Sequence, residues 1–420
     1  MLSREEGAAL AAIDDAAVGR TLLELIAIPS VTGSAAEAEI QHHLARRLEL
    51  LGLDVDLWSM DLNDLRADPD FPGSEAPRDE AWGLVGVTAG EDGPTLILQG
   101  HVDVVPPGDL ATWDGDPFVP RVTGDLVHGR GACDMKGGLV AHLAALAAIR
   151  AAGVRLRGRV AVHFVVGEED GGIGAFGTLR RGYRGDACVI TEPTGGSVIT
   201  ANAGALTFRI AVPGKSAHGS SREQGVSAID AYMPLHRALA RLETERNRDP
   251  VPLMAEYPIP YGLSVGTLRA GDWASSVPDL LVAEGRLGVR LGEEPASARE
   301  EFERCVAQAC AEDPWLREHP AQVTWPGGQF ASGALPDGHP LADVVRDARA
   351  DAVGGARPRV RGATYGSDLR LYAGAGIPAL QFGPGDIGVA HSAREQVSVR
   401  EVVDAARTLV PVILRTVGVR

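Results

Sequence analysis

An apolar run that stops at a glycine and continues into His-x-Asp sets the frame for this chain: Thr95-Leu96-Ile97-Leu98-Gln99-Gly100-His101-Val102-Asp103. The apolar part reads as a buried strand, and Gly100 frees the backbone where the direction changes. His101 and Asp103 stand at i and i+2, so in extended backbone both point to one side. That suits an imidazole ligating a metal, with a carboxylate fixing its tautomer. Two more strands end in the same manner. Arg159–Val166 runs into Gly167-Glu168-Glu169-Asp170-Gly171-Gly172, and Ala187–Ile190 into Thr191-Glu192-Pro193-Thr194. Open α/β sheets bind ligands at such C-terminal strand ends.

Between these strands, Gly129 to Gly138 crowds glycines around Asp134, which points to unusual backbone and close approach to a ligand. A phosphate loop is excluded, because the G-x-x-x-x-G-K-[ST] spacing is missing and Lys136 precedes the glycine pair. With His391 near the C-terminus, the collected groups are His101, Asp103, Asp134, Glu168, Glu169, Glu192 and His391. Imidazole and carboxylate donors without thiolate suit zinc, or a harder ion such as cobalt or manganese. Two ions need a shared ligand, which one carboxylate can supply across about 3.5–4 Å. Of a Glu-Glu pair, one member can ligate while the other takes a proton. Each pattern alone could be a set of surface acids; together, at strand ends, they favour a metal site. His42 and His43 have no acidic partner at i+4 and read as surface histidines.

At 420 residues the chain exceeds one comfortable core, so two domains are expected. The formal charge of −16 argues against a nucleic-acid or anionic-membrane surface. No secretory pattern opens the chain, no apolar stretch reaches the roughly 18–20 residues of a membrane span, and Cys133, Cys188, Cys305 and Cys310 read as reduced thiols. A cytoplasmic protein is the expectation. Helical spacing predicts helices over 15–28 and 35–51, the second capped by Ser34, and the acidic, Pro-containing stretch 61–80 reads as a loop. After Ala203 the order strand, helix, strand, strand, helix marks an inserted α+β module of about one hundred residues.

His101 through Pro106, Trp113 through Phe118, Gly129-Arg130-Gly131 with Asp134-Met135-Lys136-Gly137, Glu168-Glu169, Glu192-Pro193, Ala217-His218-Gly219 and His391-Ser392 together resemble the successive motifs of one family. It is the co-catalytic zinc family of acetylornithine deacetylase, succinyl-diaminopimelate desuccinylase, aminoacylase and carboxypeptidase G, and the acetylornithine-deacetylase-like members look closest. The resemblance implies an α/β fold: a zinc-exopeptidase-like catalytic domain with a mixed central sheet, formed by 1–202 and 323–420, and a ferredoxin-like lid and dimerisation domain over 203–322. It implies two metal ions, one on His101 and Glu192 and one on Glu169 and His391, bridged by Asp134 through a cis peptide to Met135. Asp103 would orient His101, Glu168 would be the general base, and His218 would polarise the scissile carbonyl across a homodimer.

The implied reaction is hydrolysis of the amide of an N-acyl amino acid. The alternatives are a carboxypeptidase or dipeptidase, a formyl-amide deformylase, or a non-catalytic binding relative. The family's substrate-carboxylate clamp is altered here. Ser275 stands where an Asn is expected, and the arginine position falls on Gly288, flanked by Arg286 and Arg290. Either arginine is a candidate for the carboxylate, as are the amides of Gly383 and Gly385.

Overall fold

In the computed structural model, which describes residues 1–420, the apolar runs preceding His101, Glu168 and Glu192 form adjacent strands. In chain order come α1 (Asp15–Ile26), α2 (Ala36–Leu50), β1 (Asp54–Ser59), α3 (Leu62–Ala67), β2 (Trp82–Val87), β3 (Thr95–His101), α4 (Gly137–Ala151), β4 (Arg159–Val165), α5 (Ile173–Arg180), β5 (Ala187–Ile190) and β6 (Val198–Asn202). Next are β7 (Gly204–Pro213), β8 (Ala217–His218), α6 (Ala228–Arg246), β9 (Leu263–Ala270), β10 (Ser276–Val277), β11 (Leu280–Val289), α7 (Pro295–Glu312), β12 (Gln322–Thr324) and β13 (Gln329–Phe330). The chain returns through β14 (Ala379–Gln381) to α8 (Val399–Val417). It divides into one unit of residues 1–201, 334–361 and 368–420, and another of residues 202–333 and 362–367.

A nine-stranded mixed sheet frames the first unit, with the order β1-β2-β4-β3-β5-β14-β6 along most of its width. β3 is parallel to β4 and to β5, and β5 to β14, whereas β1, β2 and β6 pair antiparallel. The register sets His101 opposite Val165 and Gln99 opposite Ile190. The loops bearing Glu168 and Glu192 therefore leave the sheet on the edge where His101 ends β3. Leu96 and Leu98 pack into one core with Leu25 of α1, Leu146 of α4 and Leu409 of α8, while Ile97 joins a second core with Leu179 of α5 and Tyr372. A strand covered on both faces is apolar throughout, which is why this run lacks alternation.

Three local expectations are corrected. Ala132–Ala151 is long and apolar enough to cross a membrane by composition, but 89% of its apolar window is buried, so that apolarity serves the core. Ser34 does not cap α2; Ala35 takes that position and makes no side-chain cap. Residues 61–80 are not all loop, because the Asp61 carboxylate accepts the amides of Asn63 and Asp64 and starts α3.

The second unit is an antiparallel sheet in the order β9-β11-β7-β12, with β13 also on β7. Leu206, Phe208, Ile210 and Val212 alternate along β7 into a core shared with Leu235 of α6 and Phe302 of α7. Two helices on one face of strands ordered 4-1-3-2 is the split βαβ, ferredoxin-like arrangement. Because β12 and β13 both pair with β7, this unit runs to Gly333 rather than ending at 322.

Candidate metal centre

Asp134 lies at the middle of the strand-end groups. Its loop turns tightly over Ala132–Lys136, with a cis peptide between Asp134 and Met135. The buried carboxylate presents its two oxygens to different imidazoles: Oδ1 is 3.1 Å from His101 Nε2, and Oδ2 is 3.3 Å from His391 Nε2. His101 Nε2 is also 3.8 Å from Glu192 Oε1, and His391 Nε2 is 3.1 Å from Glu169 Oε1. Donors 2.0–2.2 Å from a tetrahedral ion stand roughly 3.3 Å apart, so these spacings suit two such ions with Asp134 between them. Glu168 converges on the same centre, its carboxylate within 4.8 Å of donor atoms from His101 and Glu192.

The supporting contacts differ in one respect from expectation. His101 Nδ1 bonds the main-chain oxygen of Asp103 at 2.8 Å. A carbonyl only accepts, so Nδ1 carries the hydrogen and Nε2 keeps its lone pair for a metal. The Asp103 carboxylate makes no hydrogen bond to the ring; its Oδ1 stands 3.7 Å from Nδ1, at ion-pair distance. It accepts instead from the Thr32 hydroxyl at 2.8 Å and from the amides of Glu168 and Glu169 at 3.1 and 3.3 Å. Asp103 thus holds the ring with its main chain and the Glu168–Glu169 turn with its side chain.

Glu395 was not singled out from the sequence. One of its oxygens accepts the amides of Cys133 and Asp134, each at 3.1 Å, and the other bonds Arg130 at 2.5 Å. The partners named for its carboxylate lie more than 250 residues away, so no local pattern marks it. His391 is the only non-glycine residue with positive φ, at 60°. Such a conformation costs free energy and persists where surroundings impose it, often at functional sites.

Burial and the neighbouring acids raise Glu168 and Glu192 well above the usual carboxylate range, and burial with Asp134 raises Glu169. Hydrogen bonds that His391 donates to Asp134 and Glu169 push it up to about 11. Burial disfavours a charge on His101, yet its bond to Asp134 and the charge of Glu192 hold it well above its ordinary value. Buried carboxylates that drive up one another's pKa and hold protons on both imidazoles need positive charge. Glu168 Oε1 is buried and accepts no hydrogen bond. A mixed nitrogen and oxygen donor set in this state fits divalent cations of the zinc, cobalt or manganese kind.

Of the remaining candidates, His218, Ser275, Arg286 and Arg290 belong to the second unit, and Gly383 and Gly385 to the first. His218 is exposed in the second unit, and its Nδ1 accepts the Ser220 amide at 3.2 Å, which leaves the hydrogen on Nε2. Ser275 is next to it: its carbonyl accepts the Gly219 amide at 2.6 Å, and β8 pairs with β10. The Arg290 guanidinium faces Glu293 and Glu301 at 3.6 and 3.5 Å. Arg286 is largely buried, donates to the Thr364 carbonyl at 2.9 Å and has no carboxylate partner. At Gly288 a Cβ would fall 2.8 Å from Tyr261 main chain, so no arginine fits there. The glycine amides are engaged within the chain, Gly383 with Thr194 Oγ1 at 3.2 Å and Gly385 with Glu401 at 3.0 Å.

The family model described as peptidase family M20/M25/M40 matches residues 97–415. Over 412 residues the chain is 28% identical to an N-formyl-4-amino-5-aminomethyl-2-methylpyrimidine deformylase of Halalkalibacterium halodurans, covering 92% of this chain and 91% of that protein. Over 377 residues it is 31% identical to a succinyl-diaminopimelate desuccinylase of Leptothrix cholodnii, covering 86% and 89%. Among solved structures, the di-peptidase Dug1p of Saccharomyces cerevisiae superposes with a TM-score of 0.78 at 14% identity over 98% of both chains. That likeness carries the fold, and the family model spans both the strand-end acids and His391. By these matches the chain belongs to peptidase family M20/M25/M40 and is a metal-dependent amidohydrolase.

Proposed function

We propose that this protein cleaves the amide of a small N-acyl amino acid, releasing the free amine and a short carboxylic acid. The observation that carries this reading is Asp134, one oxygen facing His101 and the other facing His391, with the unbonded Glu168 Oε1 close by. In this reading His101 and Glu192 would hold one divalent ion, Glu169 and His391 another, and Asp134 would be shared between them. Zinc suits the donor set first, with cobalt or manganese as substitutes. Once bound, the ions supply Lewis-acid polarisation of the carbonyl and a lowered pKa for the attacking water.

The chain's own groups do the rest. Glu168 takes the proton of the attacking water and returns it to the departing amine nitrogen. The Asp103 carboxylate, through the Glu168 and Glu169 amides, fixes where that base stands. His218, with its hydrogen on Nε2, donates to the developing oxyanion, and in the homodimer this reading calls for it serves the other subunit's site. Arg286, free of any carboxylate, is the group left to pair with the carboxylate of an acyl amino acid.

A second reading is removal of a formyl group from an amine that lacks a carboxylate. It draws on the deformylase relative, aligned over 92% of this chain. The test is amine release from acetyl-, succinyl- and formyl-amides and from dipeptides, with zinc- or cobalt-loaded protein and again after chelation. The acyl amino acid reading expects turnover that stops on chelation, returns with metal and is fastest with a carboxylate-bearing acyl amine. Preference for a carboxylate-free formyl-amide would move the assignment to deformylation, and no turnover of any compound would overturn both.

A further inference from the structure

We infer that Arg78 is a positioning residue for the turn that carries Glu168 and Glu169; the inference rests on the assignment of Glu168 as the base. The amides of this turn are held by buried carboxylates. Glu37 accepts the Gly167 amide at 3.0 Å, and Asp103 accepts those of Glu168 and Glu169. Asp170, in the same turn, accepts the amides of Glu75 and Ala76 at 3.3 and 2.9 Å. Glu37, Asp103 and Asp170 are 3%, 0% and 4% exposed, so three acids crowd one turn away from bulk solvent. Such a cluster needs a cation among its members.

Arg78 is set between two of them. Its side chain is fully buried, with Nη1 3.3 Å from Glu37 and Nη2 2.9 Å from Asp170. The fit is close: a Cβ at Gly167, where φ is +62°, would stand 2.7 Å from both Nη atoms. At Gly171 it would stand 2.2 Å from the Gly73 carbonyl oxygen. The stretch 73–78 therefore lies against the turn, and the planar guanidinium fork spans two carboxylates that a single ammonium would reach only one at a time. Glu37 grips the residue before Glu168, and Asp170 follows Glu169. Through them Arg78 sets the base and its neighbouring ligand together, without touching substrate.

The experiment compares metal-loaded, full-length Arg78→Ala, Arg78→Lys and Glu168→Gln with the unsubstituted protein, measuring kcat, KM and amide hydrogen exchange over residues 166–172. Arg78→Ala is expected to lower kcat on the order of 10- to 100-fold with KM within about twofold, the scale of a small misplacement of a reacting group. Exchange over the turn should rise, added methylguanidinium should restore part of kcat, and Arg78→Lys should remain impaired. In a Glu168→Gln background Arg78→Ala should cost less than it does in the unsubstituted protein, since part of its effect runs through Glu168. Unchanged kcat together with unchanged exchange in Arg78→Ala overturns the inference. Where Arg78→Ala does not fold, Arg78→Lys and Asp170→Asn decide it by the same two readouts. Near-normal turnover of Glu168→Gln would instead remove the base assignment, and the exchange data would still report whether Arg78 holds the turn.

Discussion

Glu168 and Glu169 are neighbours in sequence, yet their carboxylates meet different partners. Glu169 faces His391, whereas Glu168 lies by His101 and Glu192 with one oxygen unbonded. Glu168→Gln keeps the shape and removes the proton acceptor, so turnover should fall by at least ~10² while bound metal, measured by elemental analysis, stays at the level of the unsubstituted protein. The two arginines flanking Gly288 should part in the same way. Arg286→Met is expected to raise KM for a carboxylate-bearing substrate by about 10- to 100-fold, the worth of one charge-assisted hydrogen-bonded pair, with little effect on a carboxylate-free amide. Arg290→Met should leave KM alone and lower the thermal midpoint, because it strips a partner from Glu293 and Glu301. Equal KM effects from both variants would contradict the assignment. Residue chemistry was legible where partners follow one another along the chain, as at His101-Val102-Asp103. It was not legible for Glu395 or Thr32, whose contacts to Asp134 and Asp103 span 261 and 71 residues.

At the scale of elements, the parallel pairing of β3 with β4 and β5 turns three sequence-distant loops into one edge. The apolar runs announced those strands, and their order in the sheet came only from the register. The same double-sided burial encloses two histidines, His142 on α4 and His163 on β4. His142 meets the Thr191 hydroxyl and His163 that of Tyr372, each at 3.0 Å, and burial lowers both pKa values from 6.5 to about 3. Between those values the unfolded chain binds more protons than the folded one. Their contribution to stability is therefore complete above pH ~6.5 and is lost progressively as pH falls toward ~3. At pH 5 each should cost about 2 kcal/mol relative to pH 7, so a His142→Gln, His163→Gln chain should show a shallower acid-side fall in thermal midpoint. Parallel curves for the two proteins would refute this. Helix ends were less legible than strands: Ser34 looked like a cap, but α2 begins one residue later and leaves its hydroxyl unbonded.

At the scale of the molecule, the change of texture after Ala203 was readable because β7 alternates where β3 does not. One sheet has a helical layer on a single face and the other is covered on both. The far boundary was not readable, since β12 and β13 are too short to carry a pattern and belong to the second unit only by pairing with β7. The metal ligands and Glu168 belong to the first unit, and His218 and Arg286 to the second. His218→Ala should accordingly lower kcat by about 10²-fold, the loss typical of one oxyanion donor, and leave metal content unchanged. The central claim is that Asp134 joins two metal positions that serve amide hydrolysis. It is tested most directly by adding zinc stepwise to chelated protein and to chelated Asp134→Asn while following amine release and bound metal. The account predicts no turnover without metal, a return as the chain takes up two ions, and an Asp134→Asn chain that neither binds the full pair nor turns over. Full turnover by the chelated protein, or an Asp134→Asn chain that binds and works like the unsubstituted one, would contradict it.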